Sequence, residues 1–317
     1  MLLRHAMRYD RTVALPRYDL GHIGWPSPFR ASQIWGYPVI NQPDILAHHS
    51  VYDRCHVMKV FPKQTTMYVT IIREPFSQFK SSMTYFGNMI PVLQDRGENR
   101  YITFLENAAK LERQQVFRYL GKDYGKMSLT RNLMSADLGY PYDKAYNQTA
   151  RRVFLKRIEE DFDLVMLMEY FHESLILLKR LMCWDMRAVV HLAINQQHST
   201  QRGDQTVDAR MRKLHQKFSA VDHALYEQFN KTFWRKVSDA GPTFRPEVLT
   251  LTRIIHQVTA FCSRRGSVES FTVVNSTFNA EFNITSTDCR LMKLSPDQLT
   301  PRLWAKMAEY AASFAMG

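Results

Sequence analysis

Two segments of this chain constrain its fold more than any others. "TTMYVTIIR" (65–73) and "FDLVMLMEY" (162–170) are apolar runs of strand length, of the kind found in strands buried on both faces. Each leads directly into an amphipathic stretch. In the first, Pro75 suits the opening turn of a helix, and Phe76, Phe79, Met83 and Phe86 then share one helical face. Ser77, Ser81 and Tyr85 occupy the opposite face, and Gly87 is a natural stop. In the second, "HESLILLKRLMCW" (172–184) is the helix, with Glu169 and Glu173 near its positive N-terminal end. Further helices are expected over 101–120 and 149–161. Strands alternating with helices predict an α/β fold, with a mainly parallel sheet flanked by helices.

Other elements follow from punctuation and patterning. "DILAHHSVYD" (44–53) reads as a short strand running into two histidines, and "AVVHLAIN" (188–195) as a third strand candidate. Residues 206–240 form one long helix or a broken pair that ends before Gly241-Pro242. A short helix over 246–261, a polar Ser/Thr/Asn stretch and a last helix opened by Ser295-Pro296 complete the chain. Trp184 and Trp234 are expected in the core. With 317 residues, 45% of them hydrophobic, there is material for one large domain. We divide it into an α/β domain over 1–245 and a helical extension of that domain over 246–317.

Charge narrows the partners. Lys and Arg outnumber Asp and Glu by 42 to 30, which fits a solvated basic surface or an anionic partner. The basic residues are scattered, as in "RYDRTVALPRYD" and "RMRKLHQK", with no Lys/Arg block. That argues against nucleic acid. No apolar run approaches the ~18 residues needed to cross a bilayer. The opening "MLLRHAMRYDR" is interrupted by charge too early for a signal peptide.

Four sequons, at Asn147, Asn230, Asn275 and Asn283, nevertheless lean towards a lumenal protein. The four cysteines lack C-x-x-C spacing, which argues against a zinc site. Cys262 and Cys289 bracket the polar stretch. They either staple it or stay, with Cys55 and Cys183, as buried thiols.

In open α/β sheets ligands bind outside the carboxyl ends of the strands. Arg73 stands at such an end. Its guanidinium can grip a phosphate bidentately, and Ser81, two turns into the next helix, can add a hydrogen bond. Strand, arginine, turn, helix and serine together make a phosphate clamp. The plainer alternative is an Arg73–Glu74 ion pair beside two ordinary helix serines.

The detailed spelling bears on that choice. Two apolar residues, then Arg-Glu-Pro, then a serine eight residues after the arginine and an aromatic pair, resemble the 3′-phosphate-binding element of sulfotransferases. "IIREPFSQFKSSMTYFG" is similar to the galactose-3-O-sulfotransferase family. So, in the same order, are "LTRNLMSADLGY", "FDLVMLMEYFHESLILLKRLMCW", "LYEQFNKTFWRKV" and "CRLMKLSPDQL". The resemblance covers nearly the whole chain.

It implies a P-loop-like sulfotransferase fold and 3′-phosphoadenosine 5′-phosphosulfate (PAPS) as co-substrate, with no metal. The acceptor would be a galactose-terminated glycolipid, such as galactosylceramide, or a glycan. The setting would be a lumenal catalytic domain at the Golgi membrane. Arg73 and Ser81 would hold the 3′-phosphate. A histidine in the short strand would be the general base, and by spacing to Pro62 and Arg73 that residue is His49 rather than His48.

One part of the family pattern is not found. Its members carry a K-T-x-K-x-x-S-S-T loop that cradles the 5′-phosphosulfate. Here "LLRHAMRYD" (2–10) is similar to the helix that follows such a loop. The expectation is a chain that starts downstream of its cofactor loop and membrane anchor. Two alternatives follow: a non-catalytic remnant that keeps the 3′-phosphate clamp, and a sulfotransferase for another sugar position, such as the 2-O position of a uronic acid. Arg202, in the polar loop 196–205, either approaches the nucleotide or acceptor or is a solvated charge. Tyr85 and Phe86 either line the acceptor cleft or simply pack.

Overall fold

In the computed structural model, which describes residues 1–18, 21–39, 42–87, 100–111, 127–193, 209–264 and 269–315, the first helix, α1, spans Leu2–Arg8. An irregular N-terminal segment follows, up to α2 (Arg54–Val60). Strand β1 (Val69–Ile72) and helix α3 (Pro75–Phe86) make the first strand–helix unit, and α4 (Arg100–Glu106) follows. Next come α5 (Leu133–Asp137) and α6 (Gln148–Asp161). The second unit is β2 (Leu164–Leu167) and α7 (Phe171–Leu181), with a short helical turn α8 (Met186–Val189) after it. Helices α9 (Ala209–Phe218), α10 (Ala220–Asp239) and α11 (Phe244–Ser263) form the broken pair and its successor. The chain then makes a hairpin of β3 (Ser270–Val273) and β4 (Phe282–Thr285), followed by α12 (Ser286–Lys293) and α13 (Pro296–Ala315).

The parallel sheet is small. Strands β1 and β2 pair with Val69 opposite Leu164 and Ile72 opposite Leu167, and no other strand joins them among the described residues. All four residues of β2 are buried, because α7 and α10 both pack against it. Strand β1 departs from the sequence expectation. Ile72 is buried, but Ile71, on the opposite face of the strand, is 43% exposed. The expected longer run also stops short: the Tyr68 N–H donates to the Asp163 carboxylate, and Met67 is exposed. The second sheet, β3 with β4, is antiparallel and was not anticipated.

Two strand expectations need correction. Residues 188–195 do not form a strand among the described residues, which here end at 193. The run opens as the α8 turn, the Val190 carbonyl accepts from Arg4, and the Ala193 N–H donates to Thr259 Oγ1. A short buried apolar run is ambiguous by pattern alone, and side chains here take the place of a ladder. Residues 44–53 are extended but form only isolated parallel bridges, Val13 with Ile45, His22 with His49 and Pro28 with Val51. The facing segment carries Pro16, Pro26, Pro28 and Pro38, which cannot donate to a ladder.

The main core gathers β2, α7, α10 and α11, with Leu167, Leu175, Ile176, Leu251 and Val258 fully enclosed. On α7 the five residues Ser174–Leu178 are all buried, so the helix is covered all round at its centre. The Ser174 hydroxyl donates to the Leu167 carbonyl and accepts from its N–H, tying helix to strand. Helix α13 opens on a reciprocal cap between Ser295 and Gln298. Cys262 and Cys289 form a disulfide that closes the hairpin region, and Cys55 and Cys183 are free and exposed. Trp184 is half-buried against His5, but Trp234 is 39% exposed and lies edge-on to Tyr170, not in the core. No helix among the described residues is long and apolar enough to cross a membrane.

Candidate active site

The exit of β1 is organised by a carboxylate that the sequence offers to Arg73 and the fold uses elsewhere. Glu74 caps α3, accepting from the Phe76 N–H at 3.1 Å and the Ser77 N–H at 2.7 Å. Its own N–H donates to Glu169 Oε1 at 2.8 Å, and Glu169 Oε2 accepts from the Tyr226 hydroxyl. Glu169 therefore joins the carboxyl ends of β1 and β2 to α10. Burial, with Glu169 alongside, pushes the Tyr226 hydroxyl far up from its ordinary value. Glu173 lies in the first turn of α7.

The Arg73–Glu74 pair is not formed. The Arg73 guanidinium makes no hydrogen bond or ion pair among the described residues, while its backbone N–H points to the Met134 sulfur at 3.2 Å. Ser81 is half-buried, and its hydroxyl has no partner among the described residues. The apolar face of α3 buries Phe76, Phe79 and Met83, as its spacing predicts. Tyr85 is 73% exposed, and Phe86 packs against the buried cluster of Val51, Met127, Leu133 and Ala136.

Met134 belongs to α5, and α5 connects the two halves of the site. The helix is only five residues long and owes its position to a reciprocal arrangement with α10. Asn132, in the left-handed conformation at φ 51°, precedes α5, and its Oδ1 accepts from the N–H groups of Val221 and Asp222 at the start of α10. Asp222 answers by accepting from the N–H groups of Met134 and Ser135 and from the Ser135 hydroxyl, at 3.3, 2.8 and 2.5 Å. Each helix thus satisfies orphan donors of the other. Burial pushes the Asp222 carboxyl up to about 6, against hydrogen bonds from Ser135 and Met134 that favour the ionised form.

At the other end of α5, Asp137 faces His49. Nε2 of His49 lies 3.2 Å from Asp137 Oδ2, and the Trp25 indole N–H donates to Asp137 Oδ1 at 2.9 Å. The Trp25 ring stacks on the imidazole at 4.8 Å, and the Tyr52 N–H donates to the Asp137 carbonyl. With Nε2 turned to a carboxylate, the proton belongs on Nε2, and Nδ1 is left as the acceptor. The His49 side chain is 42% exposed, so an approaching hydroxyl can reach it. His48 points the other way. It is buried, with Nε2 2.8 Å from Thr300 Oγ1.

Gly139 makes this approach feasible. It ends the α5 region at φ +82°, and a Cβ there would sit 2.3 Å from the Tyr52 carbonyl oxygen. Met134 and Asp137 are three residues apart on α5, an axial rise of about 4.5 Å. That short helix touches the Arg73 backbone through Met134 and the His49 side chain through Asp137.

Asp137, Trp25, Asn132 and Asp222 were not singled out from the sequence. They act across chain separations of 87 to 112 residues, and no local pattern marks them. Arg202 lies outside the described residues. Among the described residues no group of three or more His, Cys, Asp or Glu side chains could hold a metal ion.

Comparison with known proteins now gives these residues a context. A family model described as Galactose-3-O-sulfotransferase matches residues 1–276. Galactose-3-O-sulfotransferase 3 of Homo sapiens is 32% identical over 244 residues, covering 76% of this chain and 54% of that protein. Galactosylceramide sulfotransferase of Mus musculus is 30% identical over 247 residues, with the same shares. Galactose-3-O-sulfotransferase 2 of Sus scrofa is 29% identical over 273 residues, covering 84% of this chain and 65% of that protein. The chain thus matches about half the length of the first two relatives. No solved structure gives a significant match. Family model and relatives agree, and the chain belongs to the galactose-3-O-sulfotransferase family.

Proposed function

We propose that this chain carries the acceptor-activating and 3′-phosphate-binding parts of an enzyme that moves a sulfuryl group from PAPS to the 3-hydroxyl of a terminal galactose, on a glycolipid such as galactosylceramide or on a glycan. The arrangement of Trp25, Asp137 and His49, joined to Arg73 through α5, is the observation that supports this reading most directly. The scaffold proposed for it is the P-loop-like sulfotransferase fold, at the lumenal face of the Golgi membrane. The Cys262–Cys289 disulfide supports an oxidising compartment.

The chemistry asked of the residues is modest and specific. His49 Nδ1 takes the proton from the sugar hydroxyl as that oxygen bonds to sulfur. Asp137, held by Trp25, keeps the imidazole in the required tautomer and stabilises the imidazolium that forms. The sulfuryl donor supplies the electrophilic sulfur and a phosphate leaving group. Arg73 and Ser81 would hold its 3′-phosphate. A guanidinium and a hydroxyl, eight residues apart and each without a side-chain partner among the described residues, fit that task by charge and donor count.

The reading is tested by titrating the chain with adenosine 3′,5′-bisphosphate, beside Arg73→Ala. Loss of charge-assisted bonds at about 1.5 to 3 kcal/mol each should weaken binding roughly 10- to 100-fold or more. Equal affinity of the two proteins would remove Arg73 from the site. Binding without any transfer to galactosylceramide would favour the non-catalytic remnant, and transfer only to a uronic-acid acceptor would favour the other sugar position.

A further inference from the structure

Four asparagines in this chain carry the Asn-x-Ser/Thr pattern, and the fold treats them differently. Asn147 is the cap of α6, with Oδ1 accepting from the Ala150 N–H, and its Thr149 lies in the first turn of that helix. Asn230 is in the middle of α10, and its Oδ1 is buried with no partner. Asn283 is paired within β4, its Oδ1 accepting from Thr272, and its Thr285 forms a capping box with Asp288 at the start of α12. At Asn230 the space around the carboxamide is taken by the fold, while at Asn147 and Asn283 only Oδ1 is engaged and both residues are exposed.

Asn275 carries no such engagement among the described residues. It lies between β3 and β4, at the shoulder of a turn closed by paired backbone bonds between Ser276 and Asn279. The turn is tied internally. The Asn279 amide donates to the carbonyls of Val274 and Ala280, and the Ser276 hydroxyl donates to Asn279 Oδ1. None of these bonds involves the Asn275 side chain, which is exposed and without a partner among the described residues. Thr277, two residues on, is also exposed, and its hydroxyl has no partner among the described residues. The turn opens on a polar cleft of about 450 Å³, walled on the far side by Lys179, Trp184 and Asp185. There is room there for a first sugar beside the asparagine. The same hairpin lies between the two halves of the Cys262–Cys289 disulfide.

We propose that Asn275 is an N-glycosylation site of this protein and that Asn230 stays unmodified in the folded chain. This goes beyond the sulfuryl-transfer reading and does not depend on it. In the modification Asn275 Nδ2 loses one proton and bonds to the anomeric carbon of N-acetylglucosamine. The bond from that carbon to a lipid-linked diphosphate breaks, and the diphosphate leaves with the electron pair. The donor is a lipid-diphosphate oligosaccharide of the secretory route. A glycan at Asn230 would have to enter the packed face of α10, whereas the hydrogen bonds of Asn147 and Asn283 run to Oδ1 and survive substitution at Nδ2.

The test is to secrete the full chain from mammalian cells behind a cleavable leader and digest it with a peptide N-glycosidase, which converts a glycosylated asparagine to aspartate. We expect a downward step in gel mobility with Asn-to-Asp conversion in the peptide containing residue 275 and none at residue 230. Asn275→Gln and Thr277→Ala should each reduce the step. Asn147→Gln and Asn283→Gln should retain the conversion at residue 275. A step left unchanged by Asn275→Gln, or conversion at residue 230, overturns the assignment. So does a secreted chain with no step at all whose Cys262–Cys289 bond is oxidised, since oxidation shows that it reached the lumen.

Discussion

Replacing Asp222 by asparagine removes one charge at the point where α5 and α10 cap each other and leaves an oxygen acceptor of the same shape. In the folded state burial pushes the carboxyl up to about 6 from its ordinary value of 3.8. Between those two pH values the native state holds a proton that the unfolded chain has already released. Its contribution to stability is therefore fully present below about pH 4 and is lost as pH rises towards 6. The interval from 3.8 to about 6, at 1.36 kcal/mol per pH unit, amounts to about 3 kcal/mol.

The raw pH curve of the wild type will not display this loss alone. Burial also lowers His191 to about 4 and His215 to about 3, so both are neutral when folded and would charge when unfolded. Their contribution has the opposite sign: it is lost as pH falls below 6.5. The difference between wild type and Asp222→Asn cancels those terms. Measured by urea unfolding at intervals from pH 4 to pH 7, that difference should move by about 3 kcal/mol against the wild type as pH rises, then level off. Parallel curves across the range would mean that Asp222 is not desolvated as the structure implies, and that α5 is held by something else.

Three further outcomes follow from the same geometry. His49→Ala should lower sulfuryl transfer by roughly 10²- to 10⁴-fold with little change in affinity for adenosine 3′,5′-bisphosphate, and Asp137→Asn should reproduce part of that loss; a His49→Ala variant with full turnover removes it as the base. Replacing both Cys262 and Cys289 by serine, which opens a connection with a sequence separation of 27, should destabilise the chain by about 3 to 4 kcal/mol in denaturant titrations, and added reductant should then have no further effect. Gly139→Ala places a methyl against the Tyr52 carbonyl at positive φ. It should cost about 2 kcal/mol or more by urea titration and, by separating Asp137 from His49, depress turnover as well.

Local chemistry made much of the scaffold legible. β-branched and large apolar residues mark β1 and β2, Pro75 and Gly241-Pro242 mark helix boundaries, and the 3.6-residue spacing of Phe76, Phe79 and Met83 marks the buried face of α3. These signals lie within a few residues of one another, so one sequence contains them. Residues 188–193 show the limit of such reasoning. Their apolar run is the same whether a neighbouring strand or the side chains of Arg4 and Thr259 satisfy the backbone, and only the fold supplies one or the other.

Arg73, Ser81 and His49 could be named from spelling, and the chain by itself also held both possibilities for Arg73. Tertiary structure removed the ion pair: Glu74 turned to the first turn of α3, and the guanidinium makes no ion pair among the described residues. Structure alone likewise brought Asp137 and Trp25 to His49, set Asn132 against Asp222, and enclosed the carboxamide oxygen of one sequon, Asn230, while leaving Asn275 exposed. Periodicity and propensity report which groups a residue has beside it along the chain. An orienting carboxylate, a cap supplied by another helix and an accessible amide are defined by what lies across the chain, and only packing sets that.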